Sequence, residues 1–234
     1  MLETNSGGFW IVAPKENLSM FIINFKNYPG AFGKEAVDLA KEIRDASNEI
    51  SNLEVFLAVP LVDIYRVHSQ VDIPVFSQHV DPFLPGQTTG FSIPLAVRKA
   101  GAVGTLVNHS ENPMDLDMIR EAVRLCDEVE LTSVVCADSP AVIDQIRDFK
   151  PDYIAFEPPE LIGGDVSVVE ADEFVVASAV SAAGSIPLLV GAGIGSAADV
   201  SRGLELGAEG FLVASAIVKA EDPAKAFLEL IQGY

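Results

Sequence analysis

The sequence predicts a single-domain α/β protein, a closed (β/α)8 barrel. Three observations carry that prediction. Eight short apolar runs are spread along the chain. The segments between them place apolar residues at helical spacing, with charges on the other side. No Pro/Gly/Ser-rich linker or low-complexity tract divides the 234 residues. Continuous apolar runs mark strands covered on both faces, and strand alternating with helix means a parallel sheet. Eight such units favour closure over the alternative, a doubly wound open sheet.

The first run, MFIINF (20–25), ends on Asn24, with Lys26 just beyond. KEAVDLAKEIRDA (34–46) follows with helical spacing. EVFLAVP (54–60) ends on Pro60, and a helix-like stretch then carries His68, expected to be exposed. PVFSQH (74–79) ends on Gln78 and His79, and VGTLVNH (103–109) ends on Asn108 and His109. DLDMIREAVRLCDE (115–128) is again helical, and Asn112-Pro113 ahead of it reads as an N-cap with proline in the first helical position. LTSVVCA (131–137) leads to Cys136 and Asp138, and DYIAFE (152–157) stops on Glu157. IPLLVGA (186–192) runs into Gly191 to Gly193, and EGFLVAS (209–215) ends on Ala214 and Ser215.

Composition narrows the partners. Fifteen basic residues face 34 acidic ones, a net charge of −19. Such a chain repels phosphate backbones and anionic lipid, so neither nucleic acid nor a membrane is an expected partner. An anionic small substrate then needs a local positive site working against the global field. Cys126 and Cys136 lack ligand-like spacing, which fits a reduced, cytoplasmic protein without disulfide or zinc. Residues 1–19 lack a basic start, carry Glu3 and hold only the short apolar stretch GFWIVAP. They read as an N-terminal extension, or an upstream start ahead of Met20, and not as a signal peptide. The uncharged stretch 174–198 is long enough for a membrane span. Gly184 and Pro187 break it, which favours a helix followed by a strand.

In a barrel the active site lies on the loops that follow the strands. GAGIGSAADV (191–200) and ASAIVKAEDP (214–223) follow the last two strands. Small residues bring a ligand close to backbone N–H groups, and a helix N-terminus adds positive potential. Either loop alone fits tight packing equally well, but the two together favour a phosphate. Asn24 and Lys26, two apart, share a face of the first strand. Taken singly, a surface lysine is the commoner outcome. His109 beside a helix starting at Pro113 is expected to be a neutral, donating imidazole, against the plainer alternative of a satisfied core histidine. Glu111 is placed to pair with Lys26 across the pocket. The three histidines show no metal spacing. Glu157, His109 and Lys26 then supply a carboxylate base, a neutral electrophile and a cation. That set suits removal of a proton next to a carbonyl.

The set NFK, NHSE, FEPPELIGG, GAGI and ASAIVKA, in this order over residues 20–234, resembles the triosephosphate isomerase family in its short archaeal form. The resemblance implies that Glu157 is the base, His109 the electrophile and Lys26 the cation beside Asn24. Ser110 and Glu111 fill the supporting positions of the histidine motif. Ile162 and Gly163 match lid residues that close over the phosphate, and Gly193, Ala214 and Ser215 match its cradle. Cys136 is expected only to pack. The implied reaction interconverts dihydroxyacetone phosphate and D-glyceraldehyde 3-phosphate, with no metal or organic cofactor, in a homotetramer or a dimer. The alternatives are another phosphate-binding barrel isomerase or synthase, which would share only the last two loops, and a catalytically silent sugar-phosphate-binding barrel. Glu160 follows the archaeal pattern, and Gly164-Asp165 replaces the usual Thr-Gly of the lid.

Overall fold

Every one of the eight apolar runs is a strand, and each strand pairs in parallel with the next. The computed structural model describes residues 3–4, 10–11, 19–48, 50, 53–158 and 167–234. The barrel strands are β1 (Ser19–Asn24), β2 (Leu53–Val59), β3 (Val75–Ser77) and β4 (Gly104–Val107). They continue as β5 (Thr132–Ala137), β6 (Tyr153–Phe156), β7 (Leu188–Val190) and β8 (Gly210–Val213). β8 closes back on β1 from Gly210 beside Met20 to Val213 beside Ile23. Glu3–Thr4 pairs antiparallel with Trp10–Ile11 in a ladder of its own.

The helices between the strands are α1 (Lys34–Ser47), α2 (Ile64–His68), α3 (Pro94–Lys99), α4 (Leu116–Glu128) and α5 (Pro140–Ile146). After β6 come α6 (Val168–Ala171) and α7 (Glu173–Ala183). α8 (Ala197–Glu205), α9 (Ser215–Val218) and α10 (Pro223–Leu230) complete the ring. The uncharged stretch resolves into α7, ended by Gly184 at φ 68°, and the short β7. No described helix is long and apolar enough to cross a membrane.

Alternation along each strand builds two cores. Phe21 and Ile23 point outward to the helices. Met20 and Ile22 point inward with Phe56, Phe76, Leu106, Val134, Ala155, Leu189 and Leu212. Fully burying one phenylalanine of this kind contributes about 1.5–3 kcal/mol. Gly104 makes room for one: a Cβ there would meet the Phe76 ring at 2.3 Å.

Two local expectations fail. α4 begins at Leu116 with Asp115 before it, so Asn112 is not its N-cap and Pro113 is not its first residue. The Asn112 N–H instead closes a turn on the His109 carbonyl at 2.7 Å, and the Met114 N–H goes to Asn108 Oδ1 at 2.8 Å. The backbone around Pro113 is thus already committed to a loop. His68 is not exposed but partly buried: its ring fills the space over Gly101, where a Cβ would come within 2.2 Å.

Candidate active site

Alternation also aims side chains beyond the strand ends. Ala155 faces the barrel interior, so Glu157, two residues on, does too. Its N–H extends the ladder by one bond to the Ala137 carbonyl, at 2.9 Å. The same count from Ile22, Leu189 and Leu212 turns Asn24, Gly191 and Ala214 inward. At this end opens a cleft of about 360 Å³. Asn24, Lys26, His109, Glu157, Gly193, Ala214 and Ser215 all line it. Ile162 and Gly163 lie outside the described residues, as do Glu160 and Gly164-Asp165.

Lys26 stands on left-handed backbone, φ 47°. Asn24 Oδ1 accepts its N–H at 3.0 Å, and Gln78 Nε2 donates to its carbonyl at 3.1 Å and to that of Ala58 at 3.2 Å. These bonds hold a conformation that a lysine rarely adopts. The ammonium lies 2.8 Å from Glu111 Oε1, the expected pair. Asn108, also left-handed at φ 60°, donates to the Cys136 carbonyl at 2.9 Å and so ties the loop after β4 to β5.

His109 is buried, and its Nδ1 accepts the Glu111 N–H at 3.1 Å. An accepting Nδ1 carries no proton, so Nε2 holds it and faces the cleft. Burial first, and then the Lys26 charge, lower the pKa of His109 from 6.5 to about 4, with Glu111 opposing. The imidazole is neutral, as expected, but not because of a helix terminus at Pro113.

Glu157 is 4% exposed. Its Oε2 accepts no hydrogen bond from a described group and lies 3.7 Å from His109 Nε2, too far for a direct bond. Burial raises its pKa from 4.5 to about 7; a hydrogen bond from Cys136 and the Lys26 charge pull back, and Glu111 adds to the rise. Cys136 therefore does more than pack. Burial and the neighbouring carboxylate push its thiol well up, so it stays protonated and donates to Glu157. Gly191, read from sequence only as a strand end and the start of a phosphate loop, also makes room for the carboxylate: a Cβ there would meet Glu157 Cγ at 2.6 Å. Its place two residues past Leu189 on the inward count was the available signal.

The two loops expected to hold a phosphate differ from the sequence reading in one respect. At the start of α8, Asp199 Oδ2 already accepts the N–H groups of Ser196, at 2.9 Å, and Gly195, at 3.2 Å. Asp199 Oδ1 accepts from the Ser167 hydroxyl. The amides of this capping box are spoken for. The turn at Gly193, φ 68°, and the start of α9 remain. In α9 the N–H groups of Val218 and Lys219 return to the Ala214 and Ser215 carbonyls. Those of Ser215 and Ala216 precede the first intrahelical bond.

Two supporting residues stand off the main cleft. Ser110 lines a side cavity of about 370 Å³ that also touches Glu157. Glu111 lines one of about 270 Å³ on the other flank of Lys26. His79 shares that flank and pairs with Asp81 at 3.3 Å. Among the described residues no group of His, Cys, Asp and Glu is arranged to hold a metal ion. Tyr28 and Lys219 line the main cleft as well, and neither was singled out from sequence.

Comparison with known proteins converges on one family. A family model described as triosephosphate isomerase matches residues 19–234. The triosephosphate isomerase of Methanobrevibacter smithii is 40% identical over 219 residues, covering 92% of this chain and 98% of its own. That of Saccharolobus solfataricus is 42% identical over 215 residues, covering 91% and 94%. The crystal structure of triosephosphate isomerase from Bartonella henselae shares the fold, with a TM-score of 0.69 at 19% identity, over 89% of this chain and 97% of that one. With the match running through all eight strands, the chain belongs to the triosephosphate isomerase family of enzymes.

Proposed function

We propose that the chain interconverts dihydroxyacetone phosphate and D-glyceraldehyde 3-phosphate through an enediolate, as a step of glycolysis and gluconeogenesis. One observation carries the assignment of roles. A buried carboxylate oxygen of Glu157 has no hydrogen-bond partner among the described residues and stands 3.7 Å from the protonated nitrogen of a neutral imidazole. Glu157 Oε2 takes the carbon-bound proton. The C–H electron pair forms the enediolate double bond, and the carbonyl π pair moves to oxygen. His109 donates to that oxygen from Nε2, and Lys26, with Asn24 beside it, stabilises its charge. His109 passes its Nε2 proton to that oxygen and takes the proton of the neighbouring hydroxyl in return, so the charge crosses to the other oxygen. Glu157 then returns the carbon-bound proton to the former carbonyl carbon as the other oxygen's electron pair forms the new C=O. Gly193, Ala214 and Ser215 hold the phosphate. The family resemblance alone carries the phosphate-covering role of Ile162 and Gly163.

The same reading takes residues 20–234 as the catalytic barrel, residues 1–19 as an extension, and the cytoplasm as its compartment. It also takes the working form as a homotetramer, with a dimer as the alternative. Exposed Phe83, Leu84 and Phe91 after β3, and Leu116 and Met118 on α4, support association. Native mass measurement fixes the size.

A coupled isomerase assay tests the assignment. Glu157→Gln is expected to lose about 10²–10⁴-fold in turnover while still binding inorganic phosphate. Unchanged turnover would remove Glu157 as the base. A folded but inactive parent protein would instead favour the silent sugar-phosphate-binding barrel.

A further inference from the structure

The phosphate end of the cleft is short of positive charge. The chain as a whole carries −19. The α8 amides of Gly195 and Ser196 are occupied by Asp199, which leaves a carboxylate next to the loop that must hold an anion. Lys26, the other cation of the cleft, is paired with Glu111 at 2.8 Å.

Lys219 is placed differently. It directly follows α9 and lines the same cleft as Gly193 and Ser215. Its ammonium stands 5.6 Å from the centroid of the Tyr28 ring, and Tyr28 itself packs against the core and lines the cleft. Glu221 and Asp222 follow closely, yet no carboxylate among the described residues forms an ion pair with Lys219. An aromatic face holds an ammonium in place without neutralising it.

We infer that Lys219 is a phosphate-binding residue, parked on Tyr28 and drawn from it to the dianionic phosphate of the substrate. This inference rests on the isomerase reading for the identity of that substrate. The exchange is favourable. A charge-assisted hydrogen bond exceeds an exposed cation–π contact by roughly tenfold in equilibrium constant. Lys219 then contributes selectivity for phosphorylated over phosphate-free trioses, a task that uncharged backbone amides share only in part.

The experiment compares wild type, Lys219→Met, Lys219→Gln and Lys219→Arg. Each is assayed with D-glyceraldehyde 3-phosphate and with phosphate-free D-glyceraldehyde, and each is titrated with inorganic phosphate by calorimetry. Removing the ammonium is expected to raise KM for the phosphorylated substrate about 10- to 100-fold, with kcat within a fewfold. Phosphate binding should weaken by a similar factor, and Lys219→Arg should recover most of both. The loss should be confined to the phosphorylated substrate. Unchanged KM and unchanged phosphate binding, or an equal loss on both substrates, would overturn the inference. If wild type turns over neither substrate, the isomerase reading fails on its own, and the calorimetric comparison still decides the role of Lys219. Lys219 is exposed, so its variants should keep the fold, and circular dichroism checks that they do.

Discussion

Glu157 sets two pH dependences. As the proposed base it must be ionised, so kcat/KM should fall with acid below about pH 7. The neutral His109, near pKa 4, adds nothing to that limb. Stability runs the other way. The folded state holds the Glu157 proton up to about pH 7, the unfolded chain only to 4.5, so folded protein binds more protons between those values. Stability therefore falls as pH rises through this window, by about 3 kcal/mol in all. Glu157→Gln escapes that cost. Its stability advantage over wild type should be absent near pH 4.5, grow to pH 7 and then level off, as read from denaturant midpoints at each pH. An advantage that does not change with pH would mean that the carboxyl is not titrating as described. That Lys26, His109 and Glu157 meet in one cleft was legible in the sequence because each stands at or just past the end of an apolar run. The thiol bond from Cys136 was not, because a cysteine in a strand reads as packing until the facing residue is known.

At the scale of elements, small residues and caps determine what the site can do. Gly191 is the clearest case, because its missing Cβ is the space that Glu157 occupies. Its backbone is not in the left-handed region, so Gly191→Ala should fold. The added methyl displaces the carboxylate, and about 10²-fold in kcat is expected to be lost. Steady-state kinetics with a matched circular dichroism spectrum tests this; kcat near the wild-type value would show that Glu157 has another position to act from. Strands and helices were legible from periodicity, but their caps were not. Asn112-Pro113 has the composition of a helix start, yet Asn108 and His109 capture that backbone first. Likewise GAGIGSAADV reads as free amides, while Asp199, within the same motif, occupies two of them. In both misreadings a side-chain oxygen, of Asn108 or of Asp199, takes backbone N–H groups, joined in the first by the His109 carbonyl, and spacing alone does not reveal that.

For the whole molecule, the eight-strand closure was legible because every run contributes one strand and every gap one or more helices. The closing seam is tight. A Cβ on Gly210 would stand 2.0 Å from the Met20 carbonyl oxygen. Gly210→Ala is expected to destabilise the barrel by about 1–3 kcal/mol or more, because a backbone atom cannot yield as a side chain can. A lowered urea midpoint measures it, and an unchanged midpoint would mean that the seam relaxes freely. The same seam has a consequence for synthesis. Strand β1 is among the first barrel segments made, yet one of its two neighbours arrives about 190 residues later, which on a ribosome is on the order of tens of seconds. Through that interval the Met20–Ile23 edge has bare amides and carbonyls and no sheet partner on that side. Any sheet that forms before β8 emerges is therefore open along β1, and the last barrel strand made is the one that covers that edge.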